Sequence, residues 1–356
     1  MKKIKLVLSD LHLGNGRYLP DGTINPLEDF VNDTRFIEFV EHYGEQAGDD
    51  TDVELIFNGD FFNHIQLMPE EQADGILTER ASVNKTAAII RGHQRMFDAL
   101  KAFNSRPRRR VVFILGNHDP GLLWKGVQEV IRSVIQGEVV FVPEAYRFDG
   151  VHIEHGNRLE PIFRFDNRRY FLTKGYPEPI LNLPWGVFFV KDFIFRIKRT
   201  RPYIDKVKPY NRYMRWATFN DFWYGLWNMI RWIGFIFKTR FSRLPLKRKG
   251  AFKGFRAFWE ITRSPNMVEE ARAILDQGGC RIVILGHTHI PLHNNFGKER
   301  EYLNTGCWNE VTSLDLSGLG HSRRLIYALI EYREGKPYAR LLEWHGKHHM
   351  FEEVSA

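Results

Sequence analysis

Seven side chains in this sequence have the chemistry of metal ligands, and each follows a run of apolar residues. Leu6-Val7-Leu8-Ser9 leads into Asp10-Leu11-His12, and Val53–Asn58 leads into Gly59-Asp60. Val111–Leu115 runs into Gly116-Asn117-His118-Asp119, Val151–Glu154 into His155-Gly156, and Ile282–Leu285 into Gly286-His287-Thr288-His289. Asp10, His12, Asp60, Asn117, His155, His287 and His289 offer carboxylate, amide and imidazole donors without a thiolate. That set suits borderline to hard divalent ions such as manganese, iron or zinc. Seven groups are too many for one ion and about right for two. Two ions roughly 3.5–4 Å apart share a bridging carboxylate and hydroxide, clamp a phosphoryl oxygen and stabilise an in-line displacement. The implied reaction is hydrolysis of a phosphoester or phosphoanhydride.

The elements that must carry these groups follow from the same runs. Short, continuous β-branched and aromatic stretches read as strands buried on both faces. Their C-terminal ends define the sheet edge where open α/β folds place their sites. Between them, Asp33-Thr34 opens a helix with Phe36, Phe39, Val40 and Tyr43 on one face, with Gly44 following. One long helix is expected over about Ser82 to Phe103, and others over Val127–Ile135 and Asn266–Gln277. Strand signals recur at Val139–Val142, Glu301–Asn304 and Leu325–Tyr332, and Glu334-Gly-Lys-Pro337 is a turn into Ala339–Trp344.

Composition sets the outer bounds. The 356 residues, 43% hydrophobic and 26% charged, are ordinary for a globular protein with a sizeable core. Cys280 and Cys307 are too few for a disulfide framework and read as reduced, in a cytosolic compartment. The apolar run after Met1-Lys2-Lys3 stops at Asp10, so it reads as a first strand and not as a signal peptide. No uncharged stretch approaches the ~18–20 residues a membrane span needs. The net charge of +8 is unevenly spread: Lys191 to Arg263 holds 19 Lys/Arg against 4 Asp/Glu, and 19 of the 50 aromatic residues. There the strand rhythm also fails. The chain therefore divides into a body, 1–163 with 264–356, and a helical insertion, 164–263.

The ordered set Asp10-x-His12, Gly59-Asp60, Gly116-Asn117-His118-Asp119, His155-Gly156 and Gly286-His287-x-His289 resembles the calcineurin-like metallophosphoesterase superfamily. The likeness covers the chain apart from the insertion. It implies a four-layer α/β/β/α sandwich with a dimetal site, most often manganese here, with iron or zinc as alternatives. By position it implies that Asp10, His12 and His289 hold one ion and Asn117, His155 and His287 the other, with Asp60 bridging. It also implies that His118 is a non-ligand histidine beside the leaving group, oriented by Asp119. A histidine outside the metal shell is free to act in proton transfer. His152 is expected to be packed, and His345, His348 and His349 to be solvated. Asn157 and Arg158, just after the His155-Gly156 motif, and His64 and His293, in neighbouring loops, are the candidates for substrate contact.

The substrate must be sought in the insertion, because this fold serves many phosphates. Phe222 to Phe237 is almost wholly apolar around Arg231, with basic flanks Arg196–Arg201 and Lys238–Lys253. Such a helix fits an element lying on anionic lipid or a lid over acyl chains. Simple packing of these aromatics onto the body is the plain alternative. Binding of single-stranded nucleic acid, as in an exonuclease-like phosphodiesterase, is a further reading, from basic side chains and stacking rings. With its insertion between the His-Gly and Gly-His-x-His motifs, the chain is most similar to the UDP-2,3-diacylglucosamine hydrolase type of lipid A biosynthesis. That type usually has arginine where His118 stands, and a shorter insertion. The expectation is a peripheral enzyme on the cytoplasmic membrane face, hydrolysing a lipid-linked phosphate or pyrophosphate.

Overall fold

The computed structural model describes residues 2–66, 76–198, 200–201, 203–204, 206–208, 210–242, 247–248, 266–297, 299–314, 320–347 and 351–353. In chain order come β1 (Lys2–Leu8), α1 (Asp33–Gln46), β2 (Thr51–Asn58), α2 (Glu79–Gly92), α3 (Gln94–Asn104) and β3 (Arg109–Ile114). Then follow α4 (Lys125–Ile135), β4 (Glu138–Val142), β5 (Ala145–Phe148), β6 (Val151–Glu154), β7 (Phe171–Leu172) and β8 (Ile180–Leu181). Next is α5 (Trp185–Phe189), which a π-helical turn, Val190–Ile194, joins to α6 (Phe195–Lys198). After β9 (Val207–Lys208) come α7 (Tyr210–Asn220), α8 (Phe222–Arg240) and α9 (Met267–Asp276). The chain closes with β10 (Ile282–Leu285), β11 (Pro291–Asn295), β12 (Glu301–Thr305), β13 (Val311–Ser313), β14 (Gly320–Ser322), β15 (Ile326–Arg333), β16 (Lys336–Trp344) and β17 (Phe351–Glu353).

Two sheets stack face to face. One has seven strands in the order β17-β16-β15-β1-β2-β3-β4, and the other five, β11-β12-β10-β6-β5. The pleat sends alternate side chains to opposite faces, so each apolar run feeds two cores at once. Leu6, Leu8, Leu55, Phe57, Val111 and Phe113 meet α1, α3 and α4, while Val7, Ile56, Val112 and Ile114 point between the sheets at Ile153, Ile282 and Ile284. On the far side Val283 and Leu285 carry Met267, Ala271 and Leu275 of α9. Helices, sheet, sheet and helix make the expected four-layer sandwich. Each fully buried Val, Leu or Ile contributes on the order of 1.5–3 kcal/mol. Parallel pairing of β1 with β2, β2 with β3, and β10 with β6 and β12 brings the predicted ligand motifs to one edge.

Two features differ from the sequence reading. The single helix expected over Ser82–Phe103 is two helices, broken at His93 (φ −125°), whose ring is held by Asp33 at 2.7 Å and faces Glu28 at 3.5 Å. Periodicity does not reveal such a break, because the cause is a buried ion pair from another part of the chain. Segment 164–263 also behaves in two ways. Its first third contributes Leu181, Leu183, Val187, Phe188 and Phe195 to the main core, and Ile180 bridges to Thr78.

The second part carries α8, which packs its inner stripe, Trp232, Phe235 and Ile236, on Trp185 and Phe189. Trp223, Trp227, Ile230, Phe237 and Phe241 are exposed on the opposite stripe. Among the described residues, no helix is long and apolar enough to cross a membrane. His345 is exposed, whereas His348, His349 and the flank 251–263 lie outside the described residues.

Candidate metal centre

The loops leaving the strand ends are built from backbone that most residues avoid. Asp10, His12, Asp60, His287 and His289 all have positive φ, between 52° and 68°. Left-handed backbone costs a non-glycine residue about 1–2 kcal/mol, and such residues gather at functional sites. The strain is held by mutual hydrogen bonds: His12 N–H donates to Asp60 O at 2.8 Å and Asp10 N–H to Gly59 O at 3.2 Å. Gly286 is needed because a Cβ there would stand 2.6 Å from the Asp10 Oδ2 carboxylate atom.

These turns converge the side chains. Asp10 Oδ1 lies 3.3 Å from His289 Nε2, 3.7 Å from His12 Nε2 and 3.9 Å from His155 Nε2. Asp60 Oδ2 lies 3.2 Å from His155 Nε2 and 3.8 Å from His12 Nε2, and the nitrogens of His12 and His289 are 3.1 Å apart. Three groups result, Asp10-His12-His289, Asp60-His155-His287, and His12-Asp60-His118, which shares a residue with each of the other two.

Donors on a shared ion with bonds of about 2.1 Å sit roughly 3–3.5 Å apart, so these separations fit metal coordination. Three fully buried atoms strengthen the fit: Asp10 Oδ1, Asn117 Oδ1 and His155 Nε2 have no hydrogen-bond partner. A buried polar atom left unpaired costs free energy, which coordination removes. His155 Nδ1 is held by Asn58 O at 2.9 Å, which turns Nε2 toward the cluster as in ordinary histidine ligation.

The electrostatics agree. Burial pushes the Asp10 carboxyl up, yet the positive charge of His155 and the adjacent rings of His12 and His289 hold it well below the carboxylate range. Asp60 is likewise held low, its burial outweighed by His155 and His118. His118 is pushed down to about 3, chiefly by burial, so it is neutral in this state. Its orientation differs from the implied one. Nδ1 of His118 meets Asn63 Oδ1 at 3.1 Å, while Asp119 accepts from the Gly116 and Phe61 amides at 2.7 and 3.0 Å. Asp119 braces the loop, and Asn63 orients the ring. Burial and the Asp60 charge raise the Asp119 carboxyl to about 7.

The four expected substrate contacts are not brought to this site. His64 is fully buried, stacked on Phe62 and bonded to Thr86 Oγ1. Asn157 is buried and donates to Phe163 O, and His293 is paired with Glu301 at 2.9 Å. Arg158 pairs with Glu144 at 2.9 Å and lines a separate polar hollow with Arg147 and His152. None of the four lines the cavity over the cluster. Asn63, Glu160, Lys206 and Lys208 line the metal cavity instead. Only Asn63 had a signal, three residues after Asp60; the lysines come from the insertion and no spacing rule reaches them.

With this geometry in view, the family model for calcineurin-like phosphoesterases matches residues 5–291. The chain belongs to that family. It is a hydrolase of this family with candidate metal-binding His/Asp clusters, and two divalent ions are the family's working complement. No curated protein matches the sequence. Similar solved structures include a metallophosphoesterase from Sphaerobacter thermophilus (10% identity, 99% of this chain and 88% of that one, TM-score 0.31). Others are a putative 5'-nucleotidase from Staphylococcus aureus (11%, 99% and 54%, TM-score 0.34) and zinc-complexed Vps29 from Entamoeba histolytica (11%, 99% and 98%, TM-score 0.30).

Proposed function

We propose that this calcineurin-like phosphoesterase hydrolyses a phosphoester or pyrophosphate whose substrate carries a lipid-like apolar part, of the UDP-2,3-diacylglucosamine kind. The supporting observation is the cavity above the ligand cluster, of about 480 Å³. Its floor is His12, Asp60, Asn117, His118, His287 and His289, and its wall includes Phe189, Ile194, Phe195, Ile204, Ile290 and Leu292. A polar floor under an apolar wall matches an amphiphile with its phosphate down. Phe189 and Phe195 flank the π-helical turn that Ile194 ends, a helix irregularity common at functional sites.

In this reading Asp10, His12 and His289 would hold one ion, Asn117, His155 and His287 the other, and Asp60 would serve both. When bound, the ions, most simply manganese, supply Lewis-acid activation of water and charge stabilisation at phosphoryl oxygens. With Nδ1 engaged by Asn63, His118 has Nε2 left to exchange a proton with the substrate. A phosphoryl anion beside it favours the imidazolium and makes it a donor to the leaving group.

The exposed stripe of α8 supports peripheral association with an anionic membrane face. Trp223, Trp227, Ile230, Phe237 and Phe241 share one side, with Arg231, Lys238 and Arg240 among the exposed residues of the same helix.

The test is hydrolysis by manganese-loaded protein of UDP-2,3-diacylglucosamine, bis(p-nitrophenyl) phosphate and single-stranded DNA, with and without detergent micelles. Release of UMP from the lipid nucleotide is expected. Cleavage of DNA alone contradicts the lipid reading and makes the basic aromatic segment a strand-binding surface.

A further inference from the structure

The metal cavity has two lysines on one wall, and only one of them is neutralised. Lys206 and Lys208 are two apart around strand β9, a spacing that sends both side chains to the same face. Both line the cavity. The Lys206 ammonium sits 3.3 Å from Asp29, and Asp29 is held on its other side by Lys198 at 2.6 Å. Burial raises the Asp29 carboxyl, but Lys198 and Lys206 outweigh it and bring it down to about 2, so this carboxylate stays charged between two cations.

Lys208 has no such partner: its ammonium makes no hydrogen bond or ion pair among the described residues. Its backbone is nevertheless fixed. Lys208 O accepts from Leu314 N at 2.8 Å and Lys206 O from Thr312 N at 2.9 Å, as β9 pairs in parallel with β13. The side chain is half-buried, and its charge reaches His289 and Glu160, which border the cluster.

A rigidly based cation, half-buried and with no carboxylate in direct contact among the described residues, stands ready to pair with an anion at the phosphoryl site. Pairing with an anionic phosphate oxygen is the strong, charge-assisted kind of contact. The alternative, a lysine merely solvated at the cavity rim, would do nothing for phosphate affinity. We propose that Lys208 is a substrate-binding residue, supplied by the insertion, that grips a phosphate oxygen of the bound substrate from outside the metal cluster. The proposal rests on the hydrolase reading above and adds a group that no metal-ligand motif contains. It makes the insertion part of the phosphate site as well as part of the apolar wall.

The experiment compares wild type with Lys208→Ala, Lys208→Gln and Lys208→Arg, all manganese-loaded, with metal content measured in each. Two quantities are read: inhibition by inorganic phosphate, and KM and kcat for bis(p-nitrophenyl) phosphate. Loss of one charge-assisted contact predicts phosphate affinity weaker by about ten- to hundredfold in the Ala and Gln variants. KM rises with it, metal content stays at the wild-type level, and Lys208→Arg recovers most of the loss. Unchanged phosphate inhibition and KM in Lys208→Ala, with an active wild type, overturns the proposal and leaves the hydrolase reading standing. A wild type inactive on every phosphoester overturns both. Loss of metal from the Ala and Gln variants also overturns it, because Lys208 would then be supporting the cluster.

Discussion

Two surfaces of this molecule invert the usual arrangement of polar and apolar groups, and in opposite directions. At the sheet edge, Asp10, Asp60, Asn117 and His155 are buried, and Asp10 and Asp60 sit on left-handed backbone. On α8, Trp223, Trp227 and Phe237 are exposed on a regular helix. Burying a polar atom without a partner costs folding free energy, and so does leaving large apolar surface in water. Each cost points to something that binds there. The first region is complementary to divalent cations, and for the second the proposed complement is an apolar, anionic surface. The cavity wall joins them, since Phe189 touches both the metal cavity and the cluster beneath α8.

The comparison can be broken most severely at the polar end. Asp60→Ala or Asn117→Ala should lower kcat/KM at least about a thousandfold on any phosphoester, while circular dichroism and urea unfolding stay near wild type. Retained turnover in either variant removes the site assignment. The next effect separates His118 from its supports. Asn63→Ala should cut kcat about ten- to hundredfold with KM nearly constant, whereas Asp119→Ala should lower the unfolding midpoint, because it frees two buried amides. If Asp119→Ala leaves stability unchanged, the bracing role is wrong.

At the apolar end, replacing Trp223, Trp227 and Phe237 together with Gln should reduce binding to anionic vesicles at least about tenfold. Hydrolysis of a small water-soluble ester should stay within about twofold of wild type. Equal losses in both assays would mean that the stripe is structural.

The smallest effect concerns stability. His93 is raised to about 9: burial opposes its charge, but Asp33 and Glu28 outweigh it. The charged form is therefore favoured in the fold. Its contribution is complete below the unfolded value of 6.5, declines as pH rises toward 9 and is lost above it. With Asp33 partly exposed, the loss is on the order of 2 kcal/mol. Urea unfolding between pH 6 and 10 should show this decline, and His93→Gln should flatten it. The site end would feel the change, because Glu28 also holds the Gly14 and Gly16 amides in the loop after His12.

How much of this was legible in the sequence differs between the same two regions. The sandwich was readable, because a buried strand leaves a continuous apolar run, and six of the predicted ligand side chains fall into clusters because the residue after a strand is locally placed. The break at His93, the role of Asn63 and the cations of β9 were not. Each depends on a partner distant in sequence: Asp33 and Glu28 for the break, the His118 ring for Asn63, and β13 for Lys206 and Lys208. Arg158 shows the reverse error, since adjacency to His155-Gly156 suggested a contact, yet the turn at Gly156 (φ 108°) and the pairing with Glu144 carry it elsewhere. In α8 the amphiphilic character was visible, but which stripe is covered depends on Trp185 and Phe189 lying beneath it.

The most direct measurement is the manganese content of purified protein by elemental analysis after equilibrium dialysis, alongside the rate of phosphoester hydrolysis. Two ions per chain in wild type, one or fewer in Asp60→Ala, and turnover that falls with the lost metal are the predicted results. Full activity in metal-stripped protein, or unchanged metal content in Asp60→Ala, would contradict a dimetal centre built on these seven residues.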